Sequence, residues 1–561
     1  MIELFTELSW AHLASDREET SPRNLCATYN YLYLVGFKHV SGGKKWYLEL
    51  RLKKNGNLIK TLVMDSFKGY GLLSSCIALY DKVYAVGDNN ENWAFVLFDL
   101  DLNALRMLTA QDVRGSARVV ISDGNSLYVG GKEKIGDVYR WRIEKREFSD
   151  LFLQRIYTSD EVSELDDVFN LGVNPSTGHI WAVGSDGGRG YTEWRIEILD
   201  SGLNLRSILK PGIYGRALGI VFDYGGNAYV YGEGGIVKYD KEGRELARTK
   251  FSVESGVFVG EKLFFVDSLH QLRIFDTSLR YIGDVHLGTM IEKVTQNMTY
   301  VRRLMGGIRM FYDGKNIFGI VSGGRVDFTS WGWVVFAMAI KIPITVSVLD
   351  GFDKTRMWRM EILDLDDGVV AKGTEKVNVM LLYGNKYLVR VYGPSVYDFQ
   401  FSALGNEIVV HVPTGRISVA VVDGFGRFRD DWIVMVGDAV YEAGRAKSAE
   451  VMAGEYLVKV RAFGKEFTKL VKVDAGKDVS IVLEVPTALL SVVASGENGE
   501  LIRPEVVLIK GPIEIAQSSL PLGLEVLAGE YEIEVIAGGK SVKERIVLRP
   551  GDSKIARIYI Y

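Results

Sequence analysis

The chain has 561 residues, 47% apolar and 25% charged, with a formal net charge of −4. That length excludes a single hydrophobic core, and the near balance of charge excludes a global positive field able to draw the chain onto nucleic acid or an anionic membrane. With only Cys26 and Cys76 present, a disulfide framework is excluded and one bridge is left open, a small buried thiol being the commoner role in strand-like surroundings.

The N-terminal stretch MIELFTELSWAHLASDREET has no basic start, apolar run or small-residue cleavage site. Cytoplasmic residence is therefore the expectation, with a cell-envelope location the alternative. MIELFTEL reads as a lone strand.

A short apolar run then recurs seven times: YLYLVGF at 31, KVYAVGD at 82, SLYVGGK at 126, HIWAVGS at 179, NAYVYGE at 227, KLFFVDS at 262 and NIFGIVS at 316. The runs are aromatic and β-branched, and their spacing suits four-stranded units of roughly 40 to 50 residues better than a helical solenoid. Most are followed by an alternating strand, such as WYLELRL, VYRWRIE or EWRIEILD, and then by a turn rich in Asp, Asn and Gly. The seventh copy lacks an outer strand, so the lone N-terminal strand is expected to pair beside WGWVVFAMAI and close the ring.

Residues 220–246 resemble an NHL-type or lyase-type propeller repeat, with Asp223, Gly226, Asn227 and Tyr229 in D-x-x-G-N-x-Y order; SDGNSLYVGG is the next best copy. The resemblance implies fold only, because such propellers host binders and enzymes alike. The apolar segment 331–349 carries one charge, Lys341, but Pro343 and its β-branched residues argue against a spanning helix. It reads as a last propeller strand, a joint at 341–343 and the first strand of a new domain.

Beyond 341 a new repeat begins, each unit opening on a proline: Pro343, Pro413 and Pro486. Equivalent tyrosines, Tyr387, Tyr456 and Tyr531, open strictly alternating strands. These units resemble the carboxypeptidase regulatory-like and PEGA families, through their G-x-Y-x-V-x-V hairpins. That resemblance implies noncatalytic spacers or interaction modules. The expected fold class is all-β: a seven-bladed β-propeller (1–340, closed by the N-terminal strand) plus three tandem Ig-like β-sandwich domains (341–414, 415–486 and 487–561).

Loops entering each blade and those between its second and third strands collect on one face of a propeller, and small residues recur there at Gly71, Gly115 and Gly215. Arg118, Arg189, Tyr191 and Arg216 are the candidate ligand-binding residues, since guanidinium forks suit an anion. The bland and heavier reading pairs these arginines with acids of neighbouring blades. Asp160, Glu161, Glu164, Asp166 and Asp167 are candidate Ca²⁺ ligands, although their spacing matches no EF-hand and a solvated loop is the stronger reading. The strip 44–54, with Lys45, Tyr47, Glu49, Arg51 and Lys53 alternating, reads as a solvated outer hairpin in preference to an RNA-stacking face.

Histidines stand at no metal-ligand spacing, and no nucleophile elbow, phosphate loop or H-E-x-x-H motif occurs. No catalytic residue or cofactor is expected. The leading functional expectation is a noncatalytic scaffold with a protein partner and no nucleic acid or membrane span; the alternatives are an enzyme or small-molecule sensor at the channel mouth, and a surface-layer component.

Overall fold

The computed structural model describes residues 5–14, 20–41, 43–64, 70–160, 162–188, 190–287, 309–324, 331–366, 368–437, 439–442 and 447–561. Every regular element given for them is a β-strand, and among them no helix is long and apolar enough to cross a membrane. Two compact units divide the chain. The first is Met1–Ile344 with Met380–Asn385 and Ser402–Asn406, and the second holds the remainder.

Within the first unit the described strands form seven antiparallel meanders of four strands, the second and third of which share the continuous strand Ala104–Ser122 in a single seven-stranded sheet. They run over 20–64, 71–109, 115–158, 167–209, 217–249 and 255–286, and the seventh joins 309–341 to the strand Phe5–Ala14. Phe5–Ala14 pairs antiparallel with Trp331–Leu349, from Phe5↔Lys341 to Ala14↔Trp333. The first strand of each meander lies against the first strand of the next, and Arg309–Tyr312 lies against Thr20–Ala27, so the order closes on itself.

A local reason explains why the second strand of five meanders carries a glycine at one repeat position. The facing first strand bulges there, and a Cβ on Gly36, Gly87, Gly131, Gly184 or Gly232 would stand about 2 Å from its backbone oxygen. Any side chain would push the bulge out of register. The D-x-x-G-N-x-Y motif also has a physical basis: Asp223 accepts hydrogen bonds from the Asn227 backbone and side chain and from the Tyr229 hydroxyl, tying turn to strand.

Two sets of side-chain donors stitch one meander to the next. On second strands the hydroxyls of Tyr33, Tyr84, Tyr128 and Tyr229 donate to the carbonyls of Leu100, Phe148, Ser201 and Thr277, each in the outer turn of the following meander. On third strands the indole N–H groups of Trp46, Trp93, Trp141 and Trp194 donate to the carbonyls of Asp88, Lys132, Ser185 and Glu233 at 2.8–3.2 Å. All four indoles are fully buried. Each therefore supplies a large apolar contact and satisfies a carbonyl that water cannot easily reach.

The strip 44–54 corrects the sequence reading. Tyr47, Glu49 and Arg51 are buried, and Glu49 accepts from the Tyr47 hydroxyl at 2.5 Å and from Arg51 Nε at 2.7 Å. Residues two apart share one strand face, so an ion pair here is satisfied within its own strand while that face is covered by a neighbour. Glu144 repeats the device between Arg142 and Arg146, and Glu197 with Arg195. Segment 331–349 also departs from expectation: it is one uninterrupted strand, pairing first with Asn316–Gly324 and then, from Thr345, in parallel with Glu407–His411.

Cys26 and Cys76 form a disulfide between the first strands of the first two meanders, with Cα atoms 5.8 Å apart.

In the second unit a four-stranded sheet recurs three times, and in the second and third copies a separate three-stranded sheet accompanies it. In the second copy Thr414–Val422 pairs in parallel with Asp478–Glu484, and in the third Thr487–Ser495 pairs in parallel with Ser553–Tyr559. Ile417 and Val421 from one sheet share a core with Val434, Val458 and Val460 from the other. Successive copies meet through the same contact: Gly351 N–H donates to Thr414 Oγ1 and Gly424 N–H to Thr487 Oγ1, both at 3.0 Å. Arg356 bridges Asp350 and Glu450 across the first joint, and Arg429 reaches Glu525 across the second.

Replacing both cysteines by serine is expected to lower stability by about 4 kcal/mol on the loop-entropy relation. Wild type melted under reductant should then match the double variant, whereas identical melting with and without reductant shows the thiols unbridged. Trp194→Phe should cost about 2–3 kcal/mol in urea unfolding, from the lost donation to Glu233 and the residual cavity.

Candidate functional site

The residue that follows the repeat glycine lines a cavity in four meanders of the first unit, as do three glycines of the loops that enter first strands. Asp88, Lys132, Ser185 and Glu233 occupy the first position, and Gly71, Gly115 and Gly215 the second. Three cavities share their walls. The largest, about 880 Å³, lies among Arg118, Lys132, Asp167, Tyr191, Tyr214 and Arg216. A second, about 430 Å³, continues past Arg216 and Glu233 to Glu254 and Arg309, and a third, about 420 Å³, continues past Arg118 and Lys132 to Asp88 and Lys44.

Arg118, Tyr191 and Arg216, far apart in the chain, are thus brought around one cavity, while Arg189 lies outside the described residues. Both arginines are also paired with acids. Arg118 donates through Nε and Nη2 to Asp167 of the next meander at 3.0–3.4 Å, and Arg216 through Nε and Nη2 to Glu233 of its own. Loss of hydration opposes the charge on Arg118, and the adjoining Asp167 overrides it, holding the guanidinium above its ordinary range. The hydrogen bond to Glu233 does the same for Arg216 and pulls Glu233 below the usual carboxylate value.

Further cations act on the same groups. Arg23 stays open to solvent yet is ringed by protein; lost hydration, then repulsion from Arg118 and Arg309, lowers its proton affinity. Asp88 is pushed up by burial although Ser116, Arg118 and Lys44 stabilise its charge.

The candidate Ca²⁺ ligands do not converge. Asp167 turns to Arg118 and Lys132; Asp166, its neighbour, is buried on the opposite side with Ser163 and Arg195. Asp160 and Glu164 are exposed, and Glu161 lies outside the described residues. Among the described residues no three His, Cys, Asp or Glu side chains stand close enough to hold a metal ion.

Asp166 belongs to a buried network. Burial first, and then the hydrogen-bonded neighbour Asp186, raise its carboxyl to about 7 against the opposing effects of Ser163 and Arg195. Asp186 in turn holds Lys210 at 2.8 Å, and Arg195 pairs with Glu197 while lying 4.8 Å over the Trp141 ring. Leu165, Asp167 and Ser185, which flank this network in the chain, form part of the cavity wall.

Sequence reading missed Lys132, Glu233, Asp88 and Tyr214. The signal for the first three was present, since each directly follows a repeat glycine; Tyr214 directly precedes the loop-entry Gly215.

No family model matches the chain, and no curated protein matches it. Among solved structures it is similar to BamB from Moraxella catarrhalis, a β-propeller protein, at 11% identity and a TM-score of 0.36 over 56% of this chain and 85% of that one.

The raised Asp166 keeps its proton in the folded state above the pH where the unfolded chain releases it, so its contribution to stability is full below about pH 4 and is lost as pH rises to about 7. Asp166→Asn, which has no proton to lose, should gain stability relative to wild type across that window and hold a constant margin above it. Urea melts of both proteins at several pH values check this; a margin independent of pH contradicts it.

Proposed function

We propose that the seven meanders are the blades of a β-propeller, that the second unit is three immunoglobulin-like sandwiches, and that the protein is a noncatalytic binding protein whose propeller mouth receives a protein partner. The observation that carries this reading is the convergence of Arg118, Lys132 and Arg216, from non-adjacent chain segments, on one open cavity beside the exposed rings of Tyr191 and Tyr214. Aromatic and arginine side chains presented together are the residue types that dominate protein recognition. The sandwiches then act as a stalk or second docking surface, in keeping with the families they resemble.

A small-molecule sensor is the second reading, favoured by the cavity's volume of about 880 Å³, which lies within the usual range for ligand sites. Localisation turns on the cysteine pair: a bridged pair favours an oxidising compartment and the envelope reading, a reduced pair the cytoplasmic one.

The test is affinity capture from native extract with the full chain and with Arg118→Ala/Arg216→Ala, at low and high salt. The expected outcome is a set of proteins enriched by wild type, weakened by salt and lost in the variant. The same set on both proteins would remove the mouth from consideration.

A further inference from the structure

Arg118 and Arg216 are clamped in one manner. In each, a carboxylate takes the Nε and Nη2 edge of the guanidinium, and Nη1 donates to no described residue. Both side chains border the cavity of about 880 Å³. Asp167 and Glu233 therefore act as positioners: they fix the plane of each guanidinium and leave one nitrogen with unused donors. Lys132 joins them, held 3.4 Å from Asp167 and 4.4 Å over the Tyr139 ring, with its backbone carbonyl pinned by Trp93. Among the described residues the charged groups lining this cavity are three cations and two carboxylates.

Two tyrosines line the same cavity. Tyr191 and Tyr214 meet edge to face with centroids 5.4 Å apart, and they remain 53% and 68% exposed. The Tyr191 hydroxyl donates to Glu193 at 3.4 Å. Two tyrosine rings left this open at the rim of a cationic cavity form an unfilled stacking surface.

We propose that this cavity is an oxyanion site for a carboxylate or phosphate group carried on a flat ring, the oxyanion received by the unused Nη1 donors of Arg118 and Arg216 and the ring by Tyr191 and Tyr214. The proposal rests on the binding role assigned to the mouth and names the chemistry it recognises. A free phosphate ester and an acidic aromatic segment of a partner share that chemistry.

Calorimetric titration of the full chain with inorganic phosphate, phenyl phosphate and benzoate tests it. Saturable binding is expected, with phenyl phosphate at least about 5-fold tighter than inorganic phosphate, in line with one aromatic contact. Arg216→Lys, which keeps the charge and loses the fork, should weaken phenyl phosphate about 10-fold. Tyr214→Ala should abolish the preference for the ring while leaving inorganic phosphate unchanged, a result that unfolding would not produce.

Benzoate binding more tightly than phenyl phosphate assigns a carboxylate source, and phenyl phosphate binding more tightly assigns a phosphate. No saturable binding of any probe, or equal affinity with and without the ring, overturns the proposal. Partner capture that persists while all three probes fail retires the ligand class alone; probes that bind without any captured protein retire the protein-partner reading alone.

Discussion

Everything in the first unit depends on donors that cross from one sheet to the next. Apart from the shared strand Ala104–Ser122, no sheet ladder joins one described meander to the next, so side chains largely hold neighbouring meanders together, and burial alone sets no register between them. The indoles of Trp46, Trp93, Trp141 and Trp194 supply that register by donating to Asp88, Lys132, Ser185 and Glu233. Those four acceptors line the cavity face. The same bonds that index the sheets therefore position the polar groups of the site. The tyrosine hydroxyls do corresponding work at the outer turns, and a buried carbonyl without its partner would cost roughly 1–3 kcal/mol at each junction.

Charge inside the unit follows a second rule. Glu49, Glu144 and Glu197 are almost fully removed from water, and each has an arginine two residues away on the same strand. Arg51 and Arg146 extend the link to the carbonyls of Gly56 and Leu151 in their outer turns. Buried ion pairs add little net stability against apolar substitutes, but removing one partner is costly. Their consequence is specificity: each third strand accepts only a pairing in which its carboxylate, cation and turn coincide. In the second unit, Thr414 and Thr487 play a comparable part, accepting from glycine N–H groups at places where a Cβ would meet the threonine backbone oxygen at 2.0 Å or less.

Repetition explains what the sequence disclosed. Five of the second-strand runs were visible because the bulge opposite them tolerates only glycine, and the outer turns because Asp and Asn cap them. Arg118 and Arg216 were legible as site residues because each stands within three residues after a loop-entry glycine. Tyr47, Glu49 and Arg51 were misread for a physical reason: alternation of polar and apolar residues normally marks one solvated face, and a face satisfied by its own ion pair carries the same pattern. Asp166 and Asp167 looked like one cluster, but adjacent residues of an extended segment point to opposite sides. The tryptophans were quoted as strand residues and their indole donors went unrecognised, because the acceptor lies in the following repeat and no local pattern records it. Cys26 and Cys76 occupy neighbouring first strands, which sequence separation alone did not reveal as a contact.

The pairing of Phe5–Ala14 with Trp331–Leu349 joins residues as far as 336 positions apart, Phe5 with Lys341. At ribosomal speeds of about 5–20 residues per second, the earliest strand must wait roughly 20 seconds to a minute before its partner exists. During that interval its hydrogen-bonding edges stay open to any passing extended chain. Birth of this protein thus includes an obligatory vulnerable period, in which a holding chaperone or a slow neighbour on the same messenger decides between completion and entanglement.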